Sequence, residues 1–528
     1  MNRRHSRQGS AAVAGTSTTD TQAGSPIRFI VALTLLAACP AAGAERLTPV
    51  PAASPHINGP TIYGCRPKHP FLYRIPCTGQ RPMRFTARHL PAGLTLDGET
   101  GIITGSSPGN PGEYAVTLEA RNAQGVSKRK LRLRVGDTLA LTPPMGWNHW
   151  YTHYSHISDQ LFRAAADAMV SSGMADFGYQ YVNIDDCWMT RADSNLAELQ
   201  GPARDAAGAI VPNKNFPDMK ALTRYIHDQG LKAGIYTSPG PQTCARYEGS
   251  YQHEEIDARK FAEWGFDFLK YDWCSYGKIV PKPSLDDRKA PYAKMGGILK
   301  SLDRDVVFNL CQYGAGNVWE WGGDVGGQAW RTTGDLGVER DTTLPGFYTI
   351  GFKNAQHWKE AGPGRWNDPD YILIGYIGNA RSQNNPAALT SLTADEQYSY
   401  MSMWSLMASP LFYSGDMARL DDFTLGILCN NEVIDVDQDA LGKQARIVRQ
   451  NETELVLSKP MEDGSVAVGL FNLTHAPKQI SADWRELEVK GRRRVRDVWR
   501  QKDESKVDGR VEAEVPTHGV KFVRLYRR

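Results

Sequence analysis

The chain has 528 residues and a mass of 58.5 kDa, which is too long for one ordinary domain and predicts two or three. Hydrophobic residues make up 41% of it and charged residues 23%, an ordinary balance for a globular protein with a large core. The formal net charge is only +3, and no basic run of the kind that grips a phosphate backbone occurs in the body of the chain. We therefore expect no nucleic-acid partner.

Residues 1–44 have the features of an export signal. An apolar run, Phe29–Ala38, follows a cation, and a small-x-small cleavage pattern stands at Ala42-Gly43-Ala44. The run is too short to span a bilayer as a helix. Leu36-Ala37-Ala38-Cys39 also resembles a lipobox, in which Cys39 would carry a lipid anchor. We expect a periplasmic or secreted protein, with the lipoprotein as the alternative.

Export would make disulfide bonds possible, and the chain has eight cysteines. Removal of Cys39 with the signal would leave seven, so at least one thiol would stay unpaired. Cys65 and Cys77 lie near each other in a loop-rich stretch, and we expect a local bridge between them. No CxxC pair occurs in the sequence, so we expect no structural zinc site.

Residues 45–138 are rich in proline and glycine. In Tyr114–Ala120 and Lys130–Val135, apolar side chains alternate with small or polar ones. Turns such as Asp97-Gly98 separate such runs. This period of two predicts a small antiparallel β-sandwich. The stretch LPAGLTLDGETGIITG resembles the immunoglobulin-like repeats attached to many secreted bacterial enzymes. A spacer role is favoured over sugar binding.

Between residues 139 and 440, predicted strands alternate with amphipathic segments. One helix is predicted over Ser158–Ser172, ending at Gly173, and a capping box of Thr393 and Glu396 begins another. Strand–helix units over about 300 residues have the size and rhythm of a (β/α)8 TIM barrel. The predicted strands are Pro144–Trp150, Tyr179–Asp185, Leu231–Tyr236, Phe266–Asp272, Val306–Gln312, Ala329–Asp335, Arg365–Ile374 and Pro410–Ser414.

Period-two alternation returns in residues 441–528, for example in Val466–Phe471 and Gly519–Leu525. This pattern predicts a C-terminal antiparallel β-sandwich. Packing against the barrel is the favoured role for it, and sugar binding is the alternative.

Polar side chains fall at the carboxyl ends of the predicted barrel strands, where barrel enzymes carry their chemistry. Two are aspartates that follow short strands near a cation: Asp272 after Lys270, and Asp335 after Arg331. A single aspartate at a strand end is more often a turn or cap residue. Two carboxylates on one rim instead predict glycoside hydrolysis, with one as nucleophile and the other as proton donor.

Six motifs follow one another through this part of the chain: PPMGWNHW, YVNIDDCW, GIYTS, FLKYDWC, WRTTGD and AGPGRWNDPDYILIG. Together they resemble glycoside hydrolase family 27, the α-galactosidases or melibiases, from about Leu141 to the end of the chain. The resemblance implies retaining hydrolysis of terminal α-D-galactosyl residues, a carbohydrate as the partner, and no cofactor or metal. At the matching positions it makes Asp272 the nucleophile and Asp335 the general acid/base.

The resemblance also implies roles in sugar recognition. Asp185 and Asp186 would accept hydrogen bonds from the 4- and 6-hydroxyls, and Lys270 would donate to the 3- and 4-hydroxyls. The alternative for the acidic pair is a helix cap or a metal site, and a metal is disfavoured because no histidine or further carboxylate stands at ligand spacing. The remaining residues implied to contact the sugar are Trp150, Tyr236, Cys244, Gln312, Arg331 and Asp370.

Cys244 and Cys274 match a disulfide of the family beside the active site. Cys187 and Cys311 match half-cystines whose partners are replaced here, by Ser155 and Gly327. We therefore expect both to be buried free thiols.

For a double displacement, Asp272 must start ionised and Asp335 must start protonated. We expect Lys270 to favour the ionised form of Asp272, and the pKa of Asp335 to be the higher of the two.

One departure from the family bears on specificity. Cys311-Gln312-Tyr313, followed by Gly314-Ala315-Gly316, stands where many α-galactosidases show CEW. In the family this loop meets the 2-substituent of the sugar, and small residues there would admit an acetamido group. α-N-Acetylgalactosaminidase, β-L-arabinopyranosidase and isomaltodextran-cleaving activities are therefore alternatives, although Asp186 favours a sugar with a 6-hydroxyl. A non-catalytic sugar receptor is disfavoured because both carboxylates are present.

Overall fold

The structure, a computed structural model, describes residues 45–336, 340–341, 344–378 and 387–527. The expected signal segment, with Cys39, lies outside the described residues. Within the described ranges, no helix is both long enough and apolar enough to cross a membrane.

The amino-terminal region is a small β-sandwich, as predicted. Its strands are β1 (His56–Ile57), β2 (Ile62–Cys65), β3 (Pro70–Arg74), β4 (Cys77–Thr78), β5 (Arg84–Arg88), β6 (Leu94–Leu96), β7 (Ile102–Ser106), β8 (Gly112–Asn122) and β9 (Gly125–Val135). One sheet has the order β2-β9-β8-β5 and the other β3-β7-β6, with β1 and β4 as a separate pair. The prediction of a purely antiparallel sandwich was wrong at one edge, because β2 enters alongside β9 in the same direction.

The bridge predicted between Cys65 and Cys77 was also wrong, since both are buried free thiols. Cys65 ends β2 in the larger sheet, whereas Cys77 begins β4 in the separate pair. The Sγ atom of Cys77 lies 3.4 Å from Sδ of Met83 instead. Short separation along the chain is therefore not enough, because a disulfide needs the two β-carbons to face each other.

The middle of the chain alternates strands and helices. Its strands are β10 (Met145–Asn148), β11 (Tyr181–Asn183), β12 (Lys232–Thr237), β13 (Phe268–Tyr271), β14 (Val307–Leu310), β15 (Ala329–Arg331), β16 (Arg340–Asp341), β17 (Leu344–Pro345), β18 (Trp366–Asp368), β19 (Tyr376–Ile377), β20 (Ala388–Leu389) and β21 (Leu411–Tyr413). Its α-helices are α1 (Trp150–His153), α2 (Asp159–Ser171), α3 (Met219–Asp228), α4 (Glu254–Trp264), α5 (Tyr276–Ile279), α6 (Leu285–Lys300), α7 (Val318–Trp321), α8 (Gly346–Ala355), α9 (Ala394–Leu406), α10 (Asp422–Leu428) and α11 (Asn431–Asp437), and short 3₁₀ turns occur at Met174–Phe177 and Met417–Arg419.

Eight parallel strands of the described chain form one curled sheet with the order β18-β15-β14-β13-β12-β11-β10-β21. Its two edges meet at a parallel bridge between Ile372, just after β18, and Tyr413 in β21, so the sheet closes. The predicted (β/α)8 barrel is confirmed, and each predicted strand overlaps an observed one. Most predicted strands extend past the observed carboxyl ends, because the residues there belong to the loops that carry the polar side chains.

Local signals explain where the helices begin and end. The Ser158 side chain caps α2 by accepting from the N–H of Leu161, and the predicted capping box of Thr393 and Glu396 opens α9. Gly265 ends α4 in the left-handed region with φ 101°, immediately before the strand that leads to Asp272. The helices therefore return the chain to the barrel at defined points.

The chain closes with an antiparallel β-sandwich, as predicted. Its elements are β22 (Arg446–Gln450), β23 (Glu454–Pro460), β24 (Val466–Asn472), β25 (Lys478–Asp483), α12 (Trp484–Leu487), β26 (Arg493–Asp497), β27 (Lys502–Val507), β28 (Arg510–Val515) and β29 (Val520–Tyr526). The larger sheet has the order β22-β23-β24-β29-β26-β27, and β25 pairs with β28. The sandwich packs on α9, where Nε1 of Trp499 donates to Oγ of Ser402 at 2.8 Å.

The amino-terminal sandwich docks on the opposite end of the barrel from the predicted site. Arg66 Nε donates to Oδ1 of Asp305 at 2.9 Å, and its guanidinium also reaches the carbonyls of Leu299, Lys300 and Arg304. These contacts precede β14, at the amino-terminal ends of the barrel strands. The carboxyl ends of the strands stay open for chemistry.

Candidate active site

The carboxyl ends of the barrel strands bring the predicted site residues onto one rim. Most of these side chains are buried, whereas Trp150 is half-buried and Cys244 and Asp335 are exposed. In chain order they are Trp150 after β10, Asp185 and Asp186 after β11, Tyr236 in β12 and Cys244 after it, Lys270 in β13 and Asp272 after it, Gln312 after β14, Arg331 in β15 and Asp335 after it, and Asp370 after β18.

Both oxygens of the Asp272 carboxylate accept hydrogen bonds. Oδ1 accepts from the backbone N–H of Trp273 and from the hydroxyl of Tyr313, each at 2.7 Å. Oδ2 accepts from the hydroxyl of Tyr236 at 3.0 Å. Because the residue is only 3% exposed, these donors replace the water that would otherwise solvate the carboxylate and hold it in one orientation.

The surroundings of Asp272 pull its pKa in two directions. Burial raises the pKa of Asp272 above its ordinary value, and the negative charge of Asp335 adds to the rise. Lys270 lowers it by its charge, and the bonds from Tyr313 and Trp273 lower it further. The sequence predicted that Lys270 lowers the pKa of Asp272. It did not reveal that Tyr313 and Trp273 lower this pKa as well.

Asp335 lies in a more open position than Asp272. Its side chain is 45% exposed, and Oδ1 lies 3.4 Å from a guanidinium nitrogen of Arg331. A general acid/base gives a proton to the departing group and takes one back from an attacking water, and an exposed carboxyl can meet that water. The expectation that Asp335 has the higher pKa stays a prediction.

Asp185 is the centre of a polar network. Its Oδ2 accepts from Nδ2 of Asn148 at 2.9 Å, from Nζ of Lys270 at 2.8 Å and from the Tyr371 hydroxyl at 3.0 Å. Burial acts to raise the pKa of Asp185, but Lys270 and the donated bonds hold it below its ordinary value. The carboxylate is therefore ionised and paired, with a lysine fixed beside it.

Asp186 has a different environment from its neighbour. Its oxygens accept the backbone N–H groups of Cys187 at 2.7 Å and Ala245 at 2.8 Å. Burial raises the pKa of Asp186 to about 7, although these donors oppose the rise. Its charge therefore changes near neutral pH.

Arg331 and Asp370 form a buried ion pair, with 3.0 Å between the guanidinium and Oδ2 of Asp370. The same oxygen accepts from the hydroxyl of Tyr151 at 2.7 Å and from the N–H of Leu336 at 2.8 Å. The backbone of Asp370 has φ 85°, in the left-handed region that few residues other than glycine adopt. The ion pair and the two donors hold the Asp370 carboxylate in one position.

Two buried polar atoms near this pair have no hydrogen-bond partner within the described residues: Oε1 of Gln312 and Nε of Arg331. Nε2 of Gln312 is turned to the carbonyl of Ala315 at 2.8 Å. A buried polar atom without a partner costs about 1–3 kcal/mol. One is an acceptor and the other a donor, so a hydroxyl group is able to pair with either.

The predicted disulfide between Cys244 and Cys274 is present, with 5.0 Å between the α-carbons. It joins the loop after β12 to the loop that carries Asp272, and its sulfurs lie within 4.8 Å of an Asp272 carboxylate oxygen. Because the sulfurs are bonded to each other, this group does not fit a metal ion. Cys187 and Cys311 are buried free thiols, as predicted.

Sequence reasoning missed several residues that contact the carboxylates. They include Tyr313 on Asp272, Asn148 and Tyr371 on Asp185, and Tyr151 on Asp370. His149 was also missed, and its Nδ1 accepts the N–H of Asp185 at 3.1 Å. All of these residues except Tyr313 lie within or beside the six motifs, and that position was the available signal for them.

Comparison with known proteins decides the family. A family model of α-galactosidase A matches residues 142–439, and a model of the α-galactosidase C-terminal β-sandwich domain matches residues 452–525. The α-galactosidase of Cyamopsis tetragonoloba is 38% identical over 419 residues, which cover 78% of this chain and 93% of that protein. The chain belongs to this α-galactosidase family. The resemblance drawn from the motifs is thereby confirmed.

Solved structures of similar proteins match nearly the whole described chain in fold. A Bacteroides fragilis protein, provisionally described as an α-galactosidase/melibiase, is 36% identical, and the match covers 90% of this chain and 98% of that one with a TM-score of 0.82. α-Galactosidase I of Mortierella vinacea is 29% identical, and the match covers 74% and 98% with a TM-score of 0.65. An Ig-domain model matches residues 59–136, in agreement with the amino-terminal sandwich.

Proposed function

We propose that the chain hydrolyses terminal α-D-galactosyl residues of oligosaccharides or glycoconjugates with retention of configuration. The observation that carries this proposal is the buried Asp272 carboxylate, held by Tyr236, Tyr313 and the Trp273 amide on the rim that also carries Asp335. The named α-galactosidases among its relatives support the same activity.

The reaction would take two steps. First, an oxygen of Asp272 attacks the anomeric carbon while Asp335 gives its proton to the departing oxygen, which leaves a covalent galactosyl ester. Second, Asp335 takes a proton from water, the water oxygen bonds to the anomeric carbon, and the Asp272 carboxylate leaves. The exposed position of Asp335 supports this alternation between acid and base.

The acidic pair after β11 supports a preference for galactose over its 4-epimer. Asp185 is held ionised beside Lys270, which provides an acceptor and a donor in fixed positions. An axial 4-hydroxyl that meets both groups would be bound, and an equatorial one would leave a buried group unpaired. An unmet bond of this kind costs about 1–3 kcal/mol.

A panel of p-nitrophenyl glycosides tests the proposal. We expect α-galactoside to be hydrolysed with a higher kcat/KM than α-N-acetylgalactosaminide or β-L-arabinopyranoside, and Asp272→Ala to abolish turnover. Faster hydrolysis of one of the other two sugars would assign the chain to that activity instead. Equal turnover by the wild type, Asp272→Ala and Asp335→Ala would contradict the catalytic assignment.

We also propose that the protein is exported. The apolar run Phe29–Ala38 with its cleavage pattern supports this, and so does the Cys244–Cys274 disulfide, since such bonds persist in oxidising compartments. Amino-terminal sequencing of the mature protein is expected to begin after Ala44. A lipidated Cys39 at the new terminus would establish the lipoprotein instead, and an intact Met1 would contradict export.

A further inference from the structure

The two oxygens of the proposed nucleophile have unequal surroundings. Oδ1 of Asp272 accepts two hydrogen bonds, from the Trp273 N–H and the Tyr313 hydroxyl, whereas Oδ2 accepts one, from the Tyr236 hydroxyl. The Trp273 donor belongs to the next residue of the backbone, so that bond is part of the turn after β13. Tyr313 lies in the loop after β14, so its hydroxyl contacts Asp272 only if that loop is held in place.

A strained loop provides that support. Tyr313 has φ 65°, and Gly314 and Gly316 follow with φ 81° and 66°, so the chain turns repeatedly through the left-handed region. A β-carbon at Gly314 would lie 2.2 Å from the carbonyl oxygen of Thr332, so the loop requires glycine there. A tyrosine in this conformation is unfavourable and persists where the surrounding structure fixes it. The consequence is a phenol aimed at Asp272.

Tyr313 is a permanent donor in this position. Burial and the charge of Asp272 raise the pKa of Tyr313 far above its ordinary value, so the hydroxyl keeps its proton at every working pH. The guanidinium of Arg331 lies 5.8 Å from the centre of the phenol ring and helps to fix its plane. The hydroxyl therefore directs its proton at Oδ1.

We propose that Tyr313 is a positioning residue that, together with the Trp273 amide, reserves Oδ1 of Asp272 as the carbonyl oxygen of the galactosyl ester and leaves Oδ2 to attack the anomeric carbon. This inference rests on the proposed function. An oxygen that accepts two hydrogen bonds is the poorer nucleophile of the pair, because its lone pairs are engaged.

The bonds change consistently through both steps. When Oδ2 bonds to the anomeric carbon, the bond to the departing oxygen breaks, that oxygen takes the proton of Asp335, and Oδ1 becomes a neutral carbonyl oxygen. When water attacks, the bond from the anomeric carbon to Oδ2 breaks and negative charge returns to the carboxylate, Oδ1 included. Donors fixed on Oδ1 therefore stabilise the second transition state more than the ester.

Tyr313→Phe should therefore act chiefly on the second step. With 2,4-dinitrophenyl α-galactoside the first step is fast, so kcat reports the second step. We expect kcat to fall by about ten- to a hundredfold, with a burst of dinitrophenolate and a far smaller change in kcat/KM at high pH. The acid limb of the kcat/KM profile should move to higher pH, because the carboxylate loses a donor.

Tyr292→Phe is the matched control. The Tyr292 hydroxyl also contacts Asp272, but it donates to the backbone carbonyl at 3.2 Å and not to the carboxylate. This variant should show neither the ten- to hundredfold fall in kcat nor the shifted limb. A Tyr313→Phe enzyme with wild-type kcat and pH profile would overturn the inference while the proposed function stands. A wild type that cleaves no α-galactoside would contradict both.

A crystal structure of the trapped ester gives the direct answer. After reaction with 5-fluoro-α-D-galactosyl fluoride, we expect the anomeric carbon on Oδ2, with Oδ1 about 2.7–3.1 Å from the Tyr313 oxygen and the Trp273 nitrogen. The anomeric carbon on Oδ1, or a Tyr313 hydroxyl turned away from the ester, would overturn the inference.

Discussion

The two ends of the barrel both carry buried charges, but they satisfy them differently. At the amino-terminal end, Arg66 donates to Asp305 and to three backbone carbonyls, and Asp267 is shared between His227 and Arg304. Burial raises the pKa of Asp267, but His227 and Arg304 outweigh it and hold the pKa far below its ordinary value. These charges are paired within the protein.

At the carboxyl end, Gln312 Oε1 and Arg331 Nε are buried with no hydrogen-bond partner in the described part of the chain. Cys187, Tyr313 and Asp370 adopt left-handed backbone conformations with φ 79°, 65° and 85°. Among the described residues, unpaired buried atoms also occur in the amino-terminal sandwich, at Arg74 Nε and Arg129 Nε, so their presence alone does not mark a site. The carboxyl end differs because its unpaired atoms lie on the same rim as several buried carboxylates.

Apart from the loss of turnover expected for Asp272→Ala, the largest effect at the carboxyl end concerns Asp335. Asp335→Ala should lower kcat/KM for a galactosyl disaccharide by about 10²- to 10⁴-fold, because the departing sugar needs a proton. With 2,4-dinitrophenyl α-galactoside the loss in kcat/KM should be much smaller, since dinitrophenolate leaves without one. Initial rates on the two substrates check this. Equal losses on both would contradict the role of Asp335 as proton donor.

A substitution at the amino-terminal end of the barrel should lower stability and leave catalysis unchanged. Arg66→Ala removes the ion pair with Asp305 and the bonds to three backbone carbonyls, and leaves His69 beside the carboxylate. It should lower the free energy of unfolding by about 3–5 kcal/mol, measured by urea denaturation. The kcat/KM of the folded variant should stay at the wild-type value. Arg259→Ala, which removes an exposed pair with Glu255, is the control and should cost less than about 1 kcal/mol. If Arg66→Ala lost activity while its stability stayed unchanged, the structural role of the amino-terminal end would be contradicted.

Removal of the Cys244–Cys274 disulfide should lower stability. Cys244 and Cys274 are 30 positions apart, and the double alanine variant should lose about 2–4 kcal/mol of unfolding free energy together with activity. The matched control is Cys65→Ala with Cys77→Ala, which removes two thiols that form no bridge. Dithiothreitol should lower the urea midpoint of the wild type and of this control, but not that of the first variant. The reverse pattern would place the bridge elsewhere.

The remaining effect is the pH dependence that Asp186 adds. The folded protein holds a proton on this carboxyl up to about pH 7, whereas the ordinary value is 3.8. The folded state therefore binds more protons than the unfolded state between these values, and the free energy of unfolding falls as the pH rises through this window. Above pH 7 this contribution levels off.

Asp186→Asn should remove that dependence. The urea midpoint of the wild type minus that of the variant should fall as the pH is raised from 5 to 8. Asp228→Asn, at the exposed end of α3, should give a flat difference. A flat difference for Asp186→Asn as well would show that its carboxyl is not buried as described.

The sequence predicted the fold closely because periodicity and motif order are local properties. All eight barrel strands were found, and so was the disulfide of Cys244 with Cys274, through the family resemblance. Proximity along the chain failed for Cys65 and Cys77, which lie in different sheets. The parallel pairing of β2 with β9 was missed because alternation is the same in parallel and antiparallel edges.

The acids of the site could be predicted because they follow strands, but their donors could not. Tyr371 reaches Asp185 from 186 positions away, and Tyr313 reaches Asp272 from the loop after the next strand. A tyrosine in an apolar stretch has the same pattern as a core aromatic. Only the meeting of two loops in space shows which hydroxyl faces a carboxylate.

Proton NMR of the first sugar released is the most direct test of the central claim, that Asp272 attacks the anomeric carbon in a double displacement. During rapid hydrolysis of p-nitrophenyl α-galactoside, we expect α-galactose to form first. The β-anomer should appear only later, by mutarotation. If β-galactose is the first product, the displacement is single and Asp272 is not the nucleophile.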